Sequence, residues 1–105
     1  MQGYQLTFFT QVNHTHQHQS LADWLIREVR RLGLRGATLI PGAEGLGHEG
    51  KVHSVHFFEL ADQPQIVTVV ASAEEVDRLL SAICAEGIKV FYVKTPAEFG
   101  FTCGE

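Results

Sequence analysis

Three histidines alternate with polar residues near the start of the chain, at a spacing that suits a metal site. His14, His16 and His18 are separated by Thr15 and Gln17. Alternate side chains of an extended segment lie on the same side, so the three imidazoles would share one face. Neutral imidazole is a ligand for Zn²⁺, Ni²⁺ and Cu²⁺. The pattern predicts a divalent-metal site, although a polar loop whose histidines have no function has the same sequence.

A glycine-rich segment in the middle of the chain is the second candidate site. Residues 41–50 read PGAEGLGHEG and contain four glycines. Glycine permits a positive φ and exposes backbone N–H groups, so such a loop can bind an anion. The segment lacks the lysine–serine pair of a P-loop, and a bulge or crossover without a ligand fits the same residues. Within it, His48 is the residue that we expect to contact a ligand or to sense pH.

No catalytic constellation is recognisable, and we do not expect an enzyme. No serine or cysteine stands in a nucleophile context, and no pair of carboxylates is set apart from the solvated helix faces. The two cysteines, Cys84 and Cys103, are too few for a disulfide framework or a cysteine-rich zinc site. Cys84 is predicted to pack beside the apolar stripe of a helix, and Trp24 is predicted to lie in the core.

Composition limits the class of protein. The chain has 105 residues, 45% of them hydrophobic and 19% charged, which suits one domain spanning residues 1–105. A net charge of −4 argues against nucleic-acid binding. There is no signal-peptide pattern and no apolar run of about 20 residues, the length that a membrane span needs. These features predict a cytoplasmic protein, bacterial in style, without direct insertion into a membrane.

Strands and helices must position the candidate residues. Apolar patterns predict strands at 4–12, 37–40, 65–71 and 88–93, with an extended stretch at 51–60. The strand at 37–40 is predicted to be buried, the last strand to stop at Pro96, and residues 13–19 to form a loop. Ser20 and Ser72 are predicted N-caps of two amphipathic helices that end at Gly33 and Gly87.

The order β-α-β-β-α-β predicts an α+β fold, the ferredoxin-like split βαβ sandwich. In this fold an antiparallel sheet carries two helices on one face. The tail at residues 97–105 contains Phe99 and Phe101. Because a free apolar tail is unusual, we expect it to dock on its own domain or on a neighbouring subunit.

Four short runs give the chain a specific resemblance: RGAT at 35–38, EGLGH at 44–48, VHS at 52–54 and FYVKTP at 91–96. These motifs resemble those typical of a bacterial family of PII-like domains of unknown function, family 190, which belongs to the PII and CutA-like superfamily. The resemblance implies a homotrimer in which ligands bind in clefts between subunits. It also implies signalling, since the loop after the second strand of a PII protein changes shape with the ligand and then binds or releases a partner.

The resemblance further implies which residues bind the ligand. Gly45 and Gly47 match the PII glycines at the loop base, Lys89 matches a lysine near the phosphates, and His48 and Glu49 stand where PII has arginine and glutamine. The implied site comprises Gly45, Gly47, His48, Glu49, Gly50, Lys51 and Lys89. An adenine nucleotide is the implied ligand, and a membrane transporter is the kind of partner known in the superfamily.

Two other functions fit the sequence. One is a divalent-metal-binding or metal-tolerance protein, which resembles CutA in architecture and uses His14, His16 and His18. The other is a structural adaptor without a small ligand.

Overall fold

The computed structural model describes residues 1–46, 52–54 and 63–104 of the chain. In chain order the elements are β1 (Gln2–Gln11), β2 (Thr15–His16), β3 (Gln19–Ser20), α1 (Leu21–Arg31), β4 (Ala37–Pro41), β5 (Glu44–Leu46), β6 (Val52–Ser54), β7 (Pro64–Ala71), α2 (Ala73–Ala85) and β8 (Phe91–Glu98). The main strands and both helices follow the predicted β-α-β-β-α-β order.

Four strands form one antiparallel sheet in the order β4-β7-β1-β8. β1 is central: its Phe9 pairs with Ile66 of β7 on one side and with Phe91 of β8 on the other. β7 is also central, as its apolar character on both faces predicts. The first and last strands of the unit therefore lie side by side, which is the ferredoxin-like topology, and the predicted fold class is confirmed.

The sheet has two ends that matter for the site. Gln2, Ala37, Ala71 and Glu98 lie near one end, here named the tail end. Phe9, Pro41, Pro64 and Phe91 lie near the other end, here named the loop end, because the chain leaves β4 there for the glycine-rich segment.

Local hydrogen bonds explain where the helices begin and end. The Ser20 hydroxyl accepts the Asp23 backbone N–H at 3.1 Å and so caps α1. α2 has a full capping box: Ser72 accepts the Glu75 N–H, and the Glu75 carboxylate accepts the Ser72 N–H at 2.9 Å. Gly33 and Gly87 have φ of 73° and 72°, which glycine adopts at the least cost. Each of these predicted boundaries is confirmed.

Both helices pack on the same face of the sheet and form the core with it. The buried apolar side chains are Leu6, Phe8, Leu21, Ala22, Trp24, Leu25, Val29, Leu34, Val67, Val69, Ala71, Val76, Leu79 and Ile83. Leu21, Leu25 and Val29 recur at helical spacing and Val67 and Val69 at strand spacing, so each element contributes one apolar face.

The opposite face of the sheet carries a row of large apolar side chains across all four strands. In register, the row comprises Phe91, Phe9, Ile66 and Ile40, and we name it the apolar row. Phe91 is 71% exposed, Phe9 44% and Ile40 46%. Neither helix covers this face in the described part of the chain, so a contiguous apolar surface faces solvent in the single subunit.

Two strand predictions are wrong for the same reason: the strands concerned, β4 and β8, lie at the edges of the sheet. β4 is an edge strand, and its Thr38 and Ile40 are exposed rather than buried. Pro96 does not stop the last strand: it lies inside β8 and pairs with Tyr4. β8 is the other edge strand, and an edge strand can place a proline where no ladder hydrogen bond is needed.

Two further predictions need correction. The loop predicted at 13–19 contains the β2–β3 hairpin, in which Thr15 pairs with Ser20 and His16 pairs with Gln19. Cys84 is exposed rather than packed, since the apolar stripe of α2 runs through Val76, Leu79 and Ile83 instead. Of the extended stretch predicted at 51–60, the structure describes residues 52–54, which form β6.

Candidate functional site

The predicted ligand-binding residues fall into a described part and an undescribed part. Gly45 lies in β5, where it pairs with His53 of β6. Gly47, His48, Glu49, Gly50 and Lys51 lie outside the described residues. The structure thus describes the base of the predicted loop, a short antiparallel ladder that two residues separate from the end of β4.

Lys89 lies in the turn between α2 and β8 and is exposed. It borders a cavity of 310 Å³ whose other lining residues are Phe8, Leu80, Ile83, Cys84, Ile88, Val90 and Tyr92. This cavity and the base of the loop lie toward the same end of the sheet but at opposite edges. Because three strand spacings separate β4 from β8, those edges are about 14 Å apart. Within one chain, the fold does not bring Lys89 to the β4 edge.

The three histidines of the predicted metal site lie in and around the β2–β3 hairpin. His16 Nε2 lies 3.0 Å from Glu86 Oε1, and its ring meets Trp24 edge-on at 5.1 Å. His18 follows Gln17 in the turn, where both have a positive φ. In residues 1–46, 52–54 and 63–104, no group of three or more His, Cys, Asp or Glu side chains is placed to hold a metal ion. The metal site therefore stays a prediction.

A second cavity, larger than the one beside Lys89, lies at the tail end of the sheet and was not predicted. Its volume is 640 Å³, within the range of small-molecule sites. The lining residues are Met1, Arg35, Gly36, Ala37, Thr38, Thr68, Val70, Phe99, Gly100 and Phe101. They come from the start of β4, from β7 and from both ends of the described chain, and we name this space the tail cavity.

The chain termini form one wall of the tail cavity. The Met1 amino group donates to the Phe99 carbonyl at 2.7 Å, and the Phe99 N–H donates to the Met1 carbonyl at 2.9 Å. Gly3 allows this wall to approach the sheet, since a Cβ there would lie 2.9 Å from the Phe99 ring. Phe101, beyond the wall, is 78% exposed at the mouth of the cavity.

Arg35 is the charged side chain of the tail cavity. Its Nη1 donates to Glu75 Oε1 at 2.6 Å, and its guanidinium carbon lies 5.1 Å from the centre of the Phe99 ring. Its Nη2 also lies 3.1 Å from Met1 Sδ. Arg35 thereby joins the start of β4 to the first turn of α2 and to both chain termini.

The carboxylate of Glu75 is held in its charged form by several donors. The Ser72 backbone N–H contributes most, and the Ser72 side chain and Arg35 add to it, so the pKa of Glu75 lies below its ordinary value despite an opposing effect of partial burial. The pair that Glu75 makes with Arg35 is consequently charged on both sides at neutral pH.

Comparison with known sequences agrees with this fold. The sequence profile of the family DUF190, described as "Uncharacterized ACR", matches residues 3–89. The chain belongs to the DUF190 family. That assignment confirms the family suggested by the glycine-rich segment and the runs beside it.

Solved structures of PII-like proteins have the same fold as this DUF190 chain. CPII from Thiomonas intermedia, a nitrogen regulatory PII-like protein, in a structure bound to ADP, AMP and bicarbonate, matches with a TM-score of 0.67 and 14% identity over 96% of each chain. CPII bound to ADP and bicarbonate matches with a TM-score of 0.71 and 15% identity over 98% of this chain and 93% of that one. A putative PII-like signaling protein from Thermus thermophilus matches with a TM-score of 0.63 and 18% identity, over 92% and 86% respectively.

Sequence reasoning did not find the tail cavity in the DUF190 chain because its walls come from distant segments. Residues 1, 35–38, 68–70 and 99–101 meet only through strand pairing. One signal was available: Arg35 precedes a glycine at the start of a strand, and the tail carries two phenylalanines without an obvious role. Neither helix in the described ranges is long and apolar enough to cross a membrane.

Proposed function

We propose that this DUF190 chain is a non-enzymatic, PII-like ligand-sensing subunit. In this proposal it forms a homotrimer and binds a small molecule, with an adenine nucleotide as the first candidate, in the clefts between subunits. The loop at residues 45–50 contributes one side of each cleft, and Lys89, which lies at the opposite edge of the sheet, reaches the ligand from a different subunit than that loop. The observation that carries the proposal is the open tail cavity, with its arginine and two phenylalanines, at the opposite end of β4 from that loop.

The positions of the two half-sites argue for a cleft between subunits. The tail cavity uses Ala37 and Thr38 at the start of β4, whereas the glycine-rich loop begins after β4 ends at Pro41. Five extended residues cover about 13 Å, so the loop and the tail cavity of one chain lie at separate ends of β4. A head-to-tail contact between copies would bring the loop of one subunit to the tail cavity of the next, and a rotation of one-third of a turn between copies closes such contacts into a trimeric ring.

The apolar row supports self-association. Large apolar patches on a single subunit mark surfaces that are covered in the assembly. Phe91, Phe9 and Ile40 are all substantially exposed on a sheet face that the helices leave open. A chain of this size also buries a modest fraction of its surface alone, so association adds stability.

The nucleotide is favoured by the chemistry of the tail cavity. A guanidinium suits a phosphate, and phenylalanine rings suit a planar base. CPII, which has the same fold, binds ADP in two of the structures compared above. Binding would then order the 45–50 loop and change its affinity for a partner, for which a membrane transporter is our candidate. This switch requires that the ligand bind the two loop states unequally.

Titration of tag-free protein with ADP, AMP, bicarbonate and Zn²⁺ tests the proposal, with thermal unfolding as the readout. A ligand present at about 100 times its Kd adds about 2.7 kcal/mol per site, which raises the Tm by several degrees. A nucleotide-dependent shift supports the sensor. A shift with Zn²⁺ alone would favour the histidine hypothesis instead, and no shift with any ligand would favour the adaptor.

Mixed trimers test whether the site is shared between subunits. Thr38→Trp should block the tail cavity, and Gly47→Val should disable the loop while leaving the trimer intact. Each variant alone should lose ADP binding. After the two are unfolded and refolded together, about one site in four should combine an intact cavity with an intact loop and bind ADP. If the mixture recovers no binding while both variants remain trimeric, the site does not lie between subunits.

A further inference from the structure

Arg35 and Glu75 lie where they could control ligand affinity at the tail cavity. We propose that Arg35 binds the anionic part of the ligand and that Glu75 competes with the ligand for this guanidinium. The inference rests on the proposed function, and it adds the identity of the anion-binding residue, the class of ligand and the means by which the affinity is set.

The lining of the tail cavity determines the sign of the ligand. Arg35 is the one charged side chain among the described residues that line it, and none of those residues is acidic. Its guanidinium remains accessible, since the side chain is 41% exposed even with Glu75 bound. Planar, multidentate recognition of phosphate or carboxylate is the chemistry to which a guanidinium is best suited.

The apolar part of the lining determines the rest of the ligand. Phe99, Phe101 and Val70 line the same cavity as Arg35, and the centre of the Phe99 ring lies 5.1 Å from the guanidinium carbon. A small inorganic anion would leave this surface in water, whereas a planar ring linked to an anionic group would cover it. The ligand class that fits is therefore a ring-bearing organic anion such as a nucleoside phosphate.

Glu75 can release Arg35 without losing its own structural role. Its carboxylate also accepts the Ser72 N–H, which is the larger cause of its lowered pKa. The α2 capping box therefore does not depend on Arg35. A single, partly exposed ion pair such as that of Arg35 with Glu75 contributes little, and a phosphate offers the guanidinium more charge and more acceptors. An incoming phosphate can thus displace Glu75 while α2 stays capped.

Matched substitutions in the full chain test the competition, with ADP and uncharged adenosine as probes measured by calorimetry. Arg35→Gln should weaken ADP binding about tenfold or more and leave adenosine binding unchanged, because only the contact to the phosphates is lost. Glu75→Gln should tighten ADP binding several-fold, because a neutral amide keeps the contact to the Ser72 N–H but competes less for Arg35. The control is Arg31→Gln, which breaks the 2.7 Å pair with Glu28 and does not line the cavity.

Each outcome separates this inference from the proposed function. If the wild-type chain binds neither probe, the proposed function itself fails. If the wild type binds ADP and Arg35→Gln binds it equally well, Arg35 is not the anion-binding residue. Equal losses of ADP and adenosine binding in Arg35→Gln would show that Arg35 only supports the wall of the cavity. Unchanged or weaker ADP binding in Glu75→Gln, with Arg35→Gln as expected, would exclude the competition.

Discussion

At the scale of single residues, Glu75 and Glu28 show how differently two carboxylates can be held. The pKa of Glu28 is lowered chiefly by its side-chain hydrogen bonds with Arg31, one turn further along α1. The pKa of Glu75 is lowered chiefly by the backbone of Ser72. The pKa shift of Glu28 depends on Arg31, a flexible and exposed side chain, whereas that of Glu75 depends on the fixed backbone of Ser72. We therefore expect Glu75 to contribute more than Glu28 to the free energy of unfolding.

Acid should remove the contribution of Glu75 to stability. A carboxyl whose pKa is lower in the folded chain than its ordinary value of 4.5 stabilises the fold fully above that value. The contribution is lost as the pH falls through the folded pKa. We expect the Tm of the wild type to fall between about pH 6 and about pH 3 and the fall to be smaller in Glu75→Gln. The neighbouring exposed Glu74→Gln controls for the lost charge, and equal behaviour of the two variants would contradict the special role of Glu75.

At the scale of elements, the N-caps carry much of the local specificity. Ser72→Ala removes the acceptor for the Glu75 N–H and should lower the free energy of unfolding by about 1 kcal/mol. Ser81→Ala makes the same chemical change at an exposed position inside α2 and should raise it by a few tenths of a kcal/mol, because alanine has the higher helix propensity. Urea unfolding at one fixed protein concentration measures both. A cost at Ser81 as large as that at Ser72 would mean that capping is not the cause.

The parts of the fold that could be predicted from the sequence are those set by neighbouring residues. Ser20, Ser72 and Gly87 act on residues within one helical turn, so local sequence is enough to place the helix boundaries. The exposure of β4 and the inclusion of Pro96 in β8 depend on which strands lie at the edges, and edge positions follow from pairing across the whole chain. The tail cavity depends on the same pairing, whereas the glycine-rich loop was recognisable because its signal is contiguous.

At the scale of the whole molecule, the apolar row predicts how subunits associate. Phe91→Glu should convert the proposed trimer to monomers, because it places a charge at the most exposed end of the apolar row, which association would bury. The fold of the monomer should persist, since Phe91 is 71% exposed in the single chain. Sedimentation velocity measures the size of the assembly, and circular dichroism measures the fold.

Arg27→Glu on α1, on the helical side of the sheet, is the control for a new glutamate, and it should remain trimeric. A trimeric Phe91→Glu variant would place the subunit interface elsewhere.

The pairing of the first strand with the last has a consequence for how the chain folds. β1 lies between β7 and β8, and the residue before it, Met1, bonds to Phe99 at a sequence separation of 98. On the ribosome, β1 must therefore wait for its sheet partners, since β7 is made well after β1 and β8 follows only after α2. Contacts of such long range are slow to form. We expect folding to be slow for a chain of this length, with the apolar face of β1 open to chaperones until both partner strands have been made.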